Sequence, residues 1–348
     1  MIVLGVESSC DECAASVVSD GRQILSSVVA TQIEAHRPYY GVVPEIASRK
    51  HVETIVPVVH EALERAGLGL PEVDGFAVTY RPGLIGSLLV GLSFVKGLAF
   101  MLDKPFIGVD HILAHLYAPH LEEEIPYPYL GLLVSGGHTL IARVDRFDSI
   151  EVLGSTIDDA CGEAFDKVAK HYDFGYPGGV AIDRLARTGS REAFRFPWPS
   201  LHKGDHPFDV SYSGLKTAVV NQLEQFWNRD YPKTPENIAA SFQATAIDIL
   251  VDRLLKAAKH TGLTTVVAGG GVAANSYLRE RLARADALGP PERREQPGLR
   301  VIFPSLALCT DNAAMVAGLG YQLLSRGARS EMSLNAEARV QAFRRPYP

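Results

Sequence analysis

Two stretches of this chain begin alike, and that repetition constrains the fold more than any other feature. Ile2 to Val6 is an apolar run, followed by the polar segment Glu7-Ser8-Ser9-Cys10-Asp11-Glu12 and a second apolar run, Ala14 to Val18. Tyr129 to Val134 is again apolar, and Ser135-Gly136-Gly137-His138 separates it from Thr139 to Val144. Short apolar runs bounded by small polar residues or glycines read as buried strands. Each start leads into alternating strand and helix patterns, so the chain reads as two related α/β lobes. A length of 348 residues favours the same division, being too long for one ordinary core.

In the first half, Gln23 to Val29 pairs back on Ala14 to Val18 through an Asp20-Gly21 turn. A helix is expected over Val43 to Ala66, opened by Pro44-Glu45, with strands at Gly75 to Thr79 and Phe106 to Val109. Leu84 to Leu102 is the one membrane candidate, but Lys96 interrupts it and Gly86, Gly91 and Gly97 suit close packing. A spanning helix needs about 20 apolar residues, so a buried core helix is the expectation. Met1 runs straight into a strand with no basic region before it, and no targeting segment is expected. In the second half, Thr265 to Ala268 is a strand ended by Gly269-Gly270-Gly271, with a helix from Ala274. Phe196 to Lys203 and Leu288 to Leu299 contain proline and read as loops.

The hydrophobic share is 47% and the charged share 21%, a globular balance. Net charge is -6, so a nucleic-acid partner would need a local basic patch or a helper protein. Cys10 and Cys13 form a CxxC, but Cys161 and Cys309 stand apart and complete no second pair. Reduced thiols in a cytoplasmic protein are the plain reading.

His111 and His115 lie four apart at the start of a helix, so both rings leave one face and can reach one metal ion. Two histidines that bind nothing would give the same spacing. Ile112, Leu113 and Ala114 lie between them, and the glutamate that a zinc peptidase needs there is absent. In Leu133-Val134-Ser135-Gly136-Gly137-His138-Thr139 the glycines expose backbone N–H groups to an anion; a plain Gly-Gly hairpin fits equally. Gly269-Gly270-Gly271 and Asn275 suit a base or ribose packed on backbone, although the spacing is not GxGxxG. Asp159, Glu163 and Asp166 form an acidic stripe at helical spacing, by default a solvated face. Tyr176-Pro177-Gly178-Gly179 is a turn, with Asp183 one helical turn on. Asp311 is either an N-terminal helix residue or a third metal ligand, and spacing leaves both open.

Taken together these segments resemble the universal tRNA threonylcarbamoyladenosine transferase family in its bacterial form, TsaD. The residues that carry the resemblance are Glu7 to Glu12, Gly41-Val42-Val43-Pro44-Glu45, His111 to His115, Leu133 to Thr139, Gly162-Glu163-Ala164-Phe165-Asp166-Lys167, Ser213-Gly214-Leu215-Lys216 and Cys309 to Asn312. They span almost the whole chain in order. The resemblance implies an α/β fold of two duplicated actin-like, Hsp70-like ATPase (ASKHA) lobes with a ligand cleft between them. The expected boundaries are 1–126 for the first lobe, with 325–348 packing back on it, and 127–324 for the second. It also implies the reaction: threonylcarbamoyl passes from threonylcarbamoyl-adenylate to N6 of adenosine 37 in tRNAs reading codons that begin with adenine, releasing AMP.

By the same resemblance, His111, His115 and Asp311 hold one divalent metal ion, iron first and zinc second. Leu133, Val134, Ser135, Gly136, Gly137, Asp166, Gly179, Asp183 and Asn275 hold the adenylate, which overturns the solvated reading of Asp166. No catalytic proton acceptor is assigned. Implied partners are tRNA, an inactive actin-like paralogue (TsaB) and a small P-loop ATPase (TsaE), without a membrane. The apolar helix from Leu84 is the candidate paralogue interface, and Arg37, Arg49, Lys50 and Arg81 the candidate tRNA patch. Two positions depart from the family pattern. Arg81 replaces a glycine, which matters if that position needs positive φ, and Cys13 replaces a threonine. A glycoprotein metallopeptidase and a non-enzymatic ATP-binding scaffold are the competing classes; the missing glutamate argues against the first.

Overall fold

The computed structural model describes residues 1–199, 207–284 and 298–340. The expected loop at Phe196 to Lys203 lies partly, and that at Leu288 to Leu299 mostly, outside the described residues. In chain order the strands are β1 (Ile2–Glu7), β2 (Glu12–Ser19), β3 (Gln23–Thr31), β4 (Gly75–Arg81), β5 (Phe106–Asp110), β6 (Tyr129–Val134), β7 (Thr139–Arg146), β8 (Ser149–Ser155), β9 (Thr265–Gly269) and β10 (Arg300–Ile302). The principal helices are α1 (Pro44–Ala66), α2 (Ile85–Leu102), α3 (His111–Tyr117), α4 (Cys161–Tyr172), α5 (Gly178–Ala186), α6 (Ser213–Asn221), α7 (Pro235–Thr261), α8 (Ser276–Ala283) and α9 (Ala313–Leu324).

The chain divides into two compact units: Met1–Pro126 with the described residues from Pro304 onward, and Tyr127–Phe303. Each holds one five-stranded sheet, ordered β3-β2-β1-β4-β5 in the first and β10-β9-β6-β7-β8 in the second. In the first, β1 is antiparallel to β2 and parallel to β4. In the second, β6 is antiparallel to β7 and parallel to β9. Read from the hairpin end, order and direction coincide, so the repeated start seen in the sequence is a duplicated sheet.

Local chemistry explains the elements. Asp20 and Gly21 both take left-handed backbone, φ 50 and 74, and Arg22 N–H closes the turn on Ser19 O at 3.2 Å. Two positive-φ residues match the twist of the strands they join. Pro44 opens α1 and left-handed Gly67 ends it. Leu4, Val6, Val17, Phe76 and Val78 pack with Ile55, Val59, Leu92 and Val95 in the first core. In the second, Leu130, Leu132 and Val134 meet Phe165, Phe242 and Leu250.

The structure differs from expectation at one boundary and in the burial of one helix. Residues 304–324 belong to the first unit, not the second, because α9 lies directly on β1, β2, β4 and β5. Gly5 and Gly320 permit that approach: a Cβ on Gly5 would collide with the backbone of Ala313 and Ala317, and one on Gly320 with Ala77. Helix α2 is long and apolar enough to cross a membrane, and it is not buried all round. Ser87, Leu88, Gly91, Leu92, Val95 and Ala99 form its buried stripe, while Leu89, Phe100 and Met101 are 45%, 78% and 82% exposed.

Candidate metal centre and glycine-lined site

The metal candidates converge in the first unit. β5 ends at Asp110, whose carboxylate accepts the Ile112 and Leu113 N–H groups at 2.9 and 3.3 Å. That cap, a feature usually contributing about 1 kcal/mol, starts α3 at the first histidine. The His111 and His115 rings then meet edge to face with centroids 4.5 Å apart. Asp311 comes from the loop before α9 and faces them both: its Oδ1 is 3.0 Å from His115 Nε2 and 3.6 Å from His111 Nε2. Asn312, not Asp311, caps α9, accepting the Met315 N–H at 3.0 Å. The two roles that spacing left open for Asp311 are thereby separated.

These three residues offer ligand atoms within 4.8 Å of one another. Atoms bound at about 2.0–2.2 Å in tetrahedral geometry lie roughly 3.4 Å apart, so the observed distances suit one ion. Two imidazoles and one carboxylate form a borderline donor set that leaves coordination positions open.

Behind His111 stands a group to which the sequence reading gave no role of its own. Glu7 is wholly buried at the end of β1, and its Oε2 lies 3.2 Å from His111 Nδ1. Ser9 N–H donates to Glu7 Oε1 at 2.6 Å, Thr79 donates its hydroxyl to Oε2, and Ser9 Oγ is 3.2 Å from the same imidazole nitrogen. The signal was present in the sequence as a carboxylate ending an otherwise apolar strand. Burial opposes charge on His111, but Glu7 and then Asp311 outweigh it and raise the imidazole to about 9. His115 moves the other way, lowered by burial and by its neighbour His111.

In the second unit, parallel β6 and β9 pair Leu133 with Gly269, so their following loops emerge side by side. This is where open α/β sheets receive ligands. Leu133 and Val134 are fully buried and can offer only backbone to a ligand. Neither Gly136 nor Gly137 adopts positive φ, and a Cβ on either would meet nothing within 4 Å. A turn requirement therefore does not explain them, whereas open space beside backbone N–H groups does. Ser135 Oγ accepts the His138 N–H at 3.1 Å, and Thr139 Oγ1 accepts the Cys161 N–H at 2.9 Å, so both hydroxyls fold the loop. A Cβ on Gly162 would approach Ser135 O to 2.7 Å, which seats the start of α4 against that loop.

The acidic stripe is not one face of a helix. Asp159 precedes α4 and is held by Lys167 and Lys216 at 2.7 and 2.6 Å, while Glu163 pairs with Lys167. Asp166 is half-buried and accepts the Gly178 N–H at 2.8 Å, fixing the start of α5, where Gly179 faces open space. Asp183 accepts from Ser276 N–H and Oγ at 3.1 and 2.7 Å. Asn275 caps α8 through Leu278 N–H at 3.0 Å and donates to Gln243 at 2.8 Å, a partner the sequence did not reveal. A cavity of about 640 Å³ lined by Gln243, Ser276, Tyr277 and Arg191 adjoins these last contacts without including Gly136, Gly137 or Asp166. The glycine loops, by contrast, present open backbone that suits an anion.

Arg81 needs no special backbone, since its φ is not positive. It ends β4, with Nε 3.2 Å from Asp110 and Nη1 3.3 Å from Glu337. Arg37 pairs with Glu34 at 2.5 Å and Lys50 with Glu53 at 2.7 Å. Three of the four candidate tRNA-patch cations are thus engaged internally.

Comparison with known proteins decides the family. The model of tRNA N6-adenosine threonylcarbamoyltransferase, TsaD, matches residues 23–318. The chain belongs to this family. A curated relative of that name from Treponema denticola is 63% identical over 99% of this chain and 98% of its own length. One from Borreliella burgdorferi is 49% identical over 100% and 96%. Among solved structures, T. kodakarensis HypF aligns with TM-score 0.61 at 14% identity, over 93% of this chain and 48% of that one. Component A of the Acidaminococcus fermentans (R)-2-hydroxyglutaryl-CoA dehydratase aligns with TM-score 0.54 at 14% identity, covering 92% and 98%. At such identity these structures show the duplicated actin-like ATPase fold alone. Within the threonylcarbamoyltransferase family, the histidine pair belongs to a group-transfer enzyme and not to a peptidase.

Proposed function

We propose that this chain transfers threonylcarbamoyl from threonylcarbamoyl-adenylate to N6 of adenosine 37 of tRNA, using one divalent metal ion held by His111, His115 and Asp311. The observation that carries the metal role is the convergence of both histidine Nε2 atoms on Asp311 Oδ1, with Glu7 buried behind His111. In the reaction the N6 amine attacks the carbamoyl carbon, the bond to the phosphate oxygen breaks, AMP leaves, and N6 gives up a proton. An aromatic amine is a weak nucleophile, so the carbonyl must be activated. When bound, the metal supplies Lewis acidity and a template for the carbamoyl–phosphate anhydride. Fe2+ is the first candidate and Zn2+ the second, both suited to imidazole with carboxylate.

The chain's own residues do the rest. Glu7 and Ser9 fix the ring of His111, and Asp110 holds the helix that presents both histidines. Gly136 and Gly137 offer N–H groups to the adenylate phosphate, while Asp166, Gly179, Asp183 and Asn275 frame the nucleoside, with Leu133, Val134 and Ser135 contributing backbone. The exposed apolar face of α2, with Leu89, Phe100 and Met101, is the surface for the inactive actin-like paralogue, beside exposed Val52 and Val56 of α1. A small P-loop ATPase completes the working assembly. The reading carries a cytoplasmic location with it, where tRNA is modified and the free thiols of Cys10, Cys13, Cys161 and Cys309 stay reduced.

The test is reconstitution. Purified protein with its partners, threonylcarbamoyl-adenylate and unmodified tRNA should yield the modified nucleoside by mass spectrometry. No product with demonstrably active partners would reject the activity. Equal metal content in the wild type and a His111→Ala, His115→Ala double variant would reject the metal site alone.

A further inference from the structure

Burying helix α2 on the first sheet requires only apolar contact, yet its inner face also holds a polar one. Ser8, in the segment that follows β1, and Ser87 of α2 are both 0% exposed. The Ser8 hydroxyl donates to Ser87 O at 2.9 Å. At the start of the same helix, Leu84 N–H donates to Ser9 O at 2.8 Å. Two glycines make room for this approach. A Cβ on Gly91 would stand 2.3 Å from Ser8 Oγ, and one on Gly83 would stand 2.5 Å from Ser9 O. Of the three glycines within α2, Gly91 is thus the one set against the segment after β1. Gly86 lies against Ser48, and a Cβ on Gly97 would meet nothing within 4 Å.

The same segment leads to the metal candidates. Ser9 N–H donates to Glu7 Oε1 at 2.6 Å, while Ser9 Oγ and Glu7 Oε2 each lie 3.2 Å from His111 Nδ1. Glu7-Ser8-Ser9 is therefore gripped from two sides. The Ser8 hydroxyl and the Ser9 carbonyl are fixed to the start of α2. The Ser9 N–H and hydroxyl, together with the Glu7 carboxylate, are fixed around the His111 ring. Ser9 N–H belongs to the peptide that follows Ser8 Cα, so pinning the Ser8 side chain limits where that N–H, and with it Glu7, can sit.

We infer that Ser8 is a positioning residue for the metal centre, its buried bond to α2 holding Ser9 and Glu7 where they orient His111. The inference rests on the proposal that His111, His115 and Asp311 bind a metal ion. The Ser8 hydroxyl bonds Ser87 O and none of those three residues, so it acts on the ion through Glu7 and Ser9. Groups that orient a ligating imidazole set its direction and basicity, and metal affinity follows. A plain helix-to-sheet contact would contribute to stability and leave metal affinity alone.

The experiment strips the full-length protein of metal and titrates it with Co2+, which accepts imidazole and carboxylate ligands and has a visible spectrum sensitive to their geometry. Affinity, spectrum and the melting temperature of the metal-free protein are compared for the wild type, Ser8→Ala and Val59→Ala, a truncation in the same core on α1. Ser8→Ala should lose about three- to tenfold in Co2+ affinity and shift the visible bands. Val59→Ala should melt at least as far below the wild type with affinity and spectrum unchanged. Gly91→Ala, which drives into Ser8 Oγ from the other side, should resemble Ser8→Ala. In a Glu7→Gln, Ser9→Ala background, adding Ser8→Ala should change affinity by less than about twofold, because the groups it acts through are already altered. Ser8→Ala behaving like Val59→Ala, or keeping its full effect in that background, overturns the assignment. A wild type that takes up no more Co2+ than His111→Ala, His115→Ala rejects the metal site instead, so the two failures are distinct.

Discussion

Glu7 Oε2 lies 3.2 Å from His111 Nδ1, with both side chains out of solvent at the end of β1. A carboxylate on the far nitrogen of a ligating histidine sets which nitrogen faces the metal and raises its basicity. The structure thereby turns Nε2 of His111 toward Asp311 by means of Glu7, a residue outside the candidate ligand set. Glu7→Gln preserves the shape and removes the charge. Metal affinity should fall by about 10–100-fold in chelator competition, with the fold intact by circular dichroism. An unchanged affinity would show that Ser9 alone sets the ring.

A second prediction concerns pH. Burial raises the Glu12 carboxyl to about 8, partly offset by the Thr31 hydroxyl and reinforced by Asp11 and Asp311. The folded protein thus holds this proton more tightly than the unfolded chain does. Its contribution to stability is fully present below the unfolded value near 4.5 and is lost as pH rises through about 8. A shift of that size corresponds to at most about 5 kcal/mol, and partial exposure of the side chain brings the working figure nearer 2 kcal/mol. Glu12→Gln should remove this loss, so the variant should gain on the wild type in denaturant midpoint between pH 5 and pH 9. Parallel curves would mean that Glu12 titrates normally.

The glycine loop permits binding and folding to be separated. Since a Cβ at Gly136 meets nothing within 4 Å, Gly136→Val should melt within a degree or two of the wild type, as surface substitutions do. It should nevertheless weaken adenylate binding by about tenfold or more, because the side chain takes the space beside the N–H groups. Calorimetric titration with a non-hydrolysable adenylate checks this. Normal binding would move the phosphate away from this loop.

The duplicated sheet was legible because buried strands leave continuous apolar runs, as in Ile2 to Val6 and Tyr129 to Val134. The histidine pair was legible as a spacing, and the family resemblance supplied Asp311, which spacing alone left undecided. Other features were hidden for physical reasons. The fit of α9 on the first sheet depends on Gly5 and Gly320 meeting backbone across a long sequence separation. Asp159 reads as helical from its spacing to Glu163, yet Lys216, 57 residues on, draws it into a loop.

Arg81 shows how structure changes the expectation for tRNA binding. Its guanidinium is shared between Asp110, whose side chain is 4% exposed, and Glu337. Asp110 caps the helix that carries His111 and His115, and Glu337 lies in the segment whose backbone returns to Tyr80 at 2.9 Å. Arg81→Gly should therefore act on stability, costing about 1–2 kcal/mol through the loss of a partner for a buried carboxylate. That corresponds to a melting temperature lower by roughly 1–3 °C for a chain of this length, with little change in the salt slope of tRNA binding. Arg49 is exposed and has no ion-pair partner among the described residues. Arg49→Glu should leave the melting temperature in place while weakening tRNA binding and lowering its salt slope by about one charge. Measuring both variants by thermal melting and by filter binding across salt concentrations separates the two roles. If Arg81→Gly changed the salt slope as Arg49→Glu does, its charge would be facing the tRNA rather than the protein.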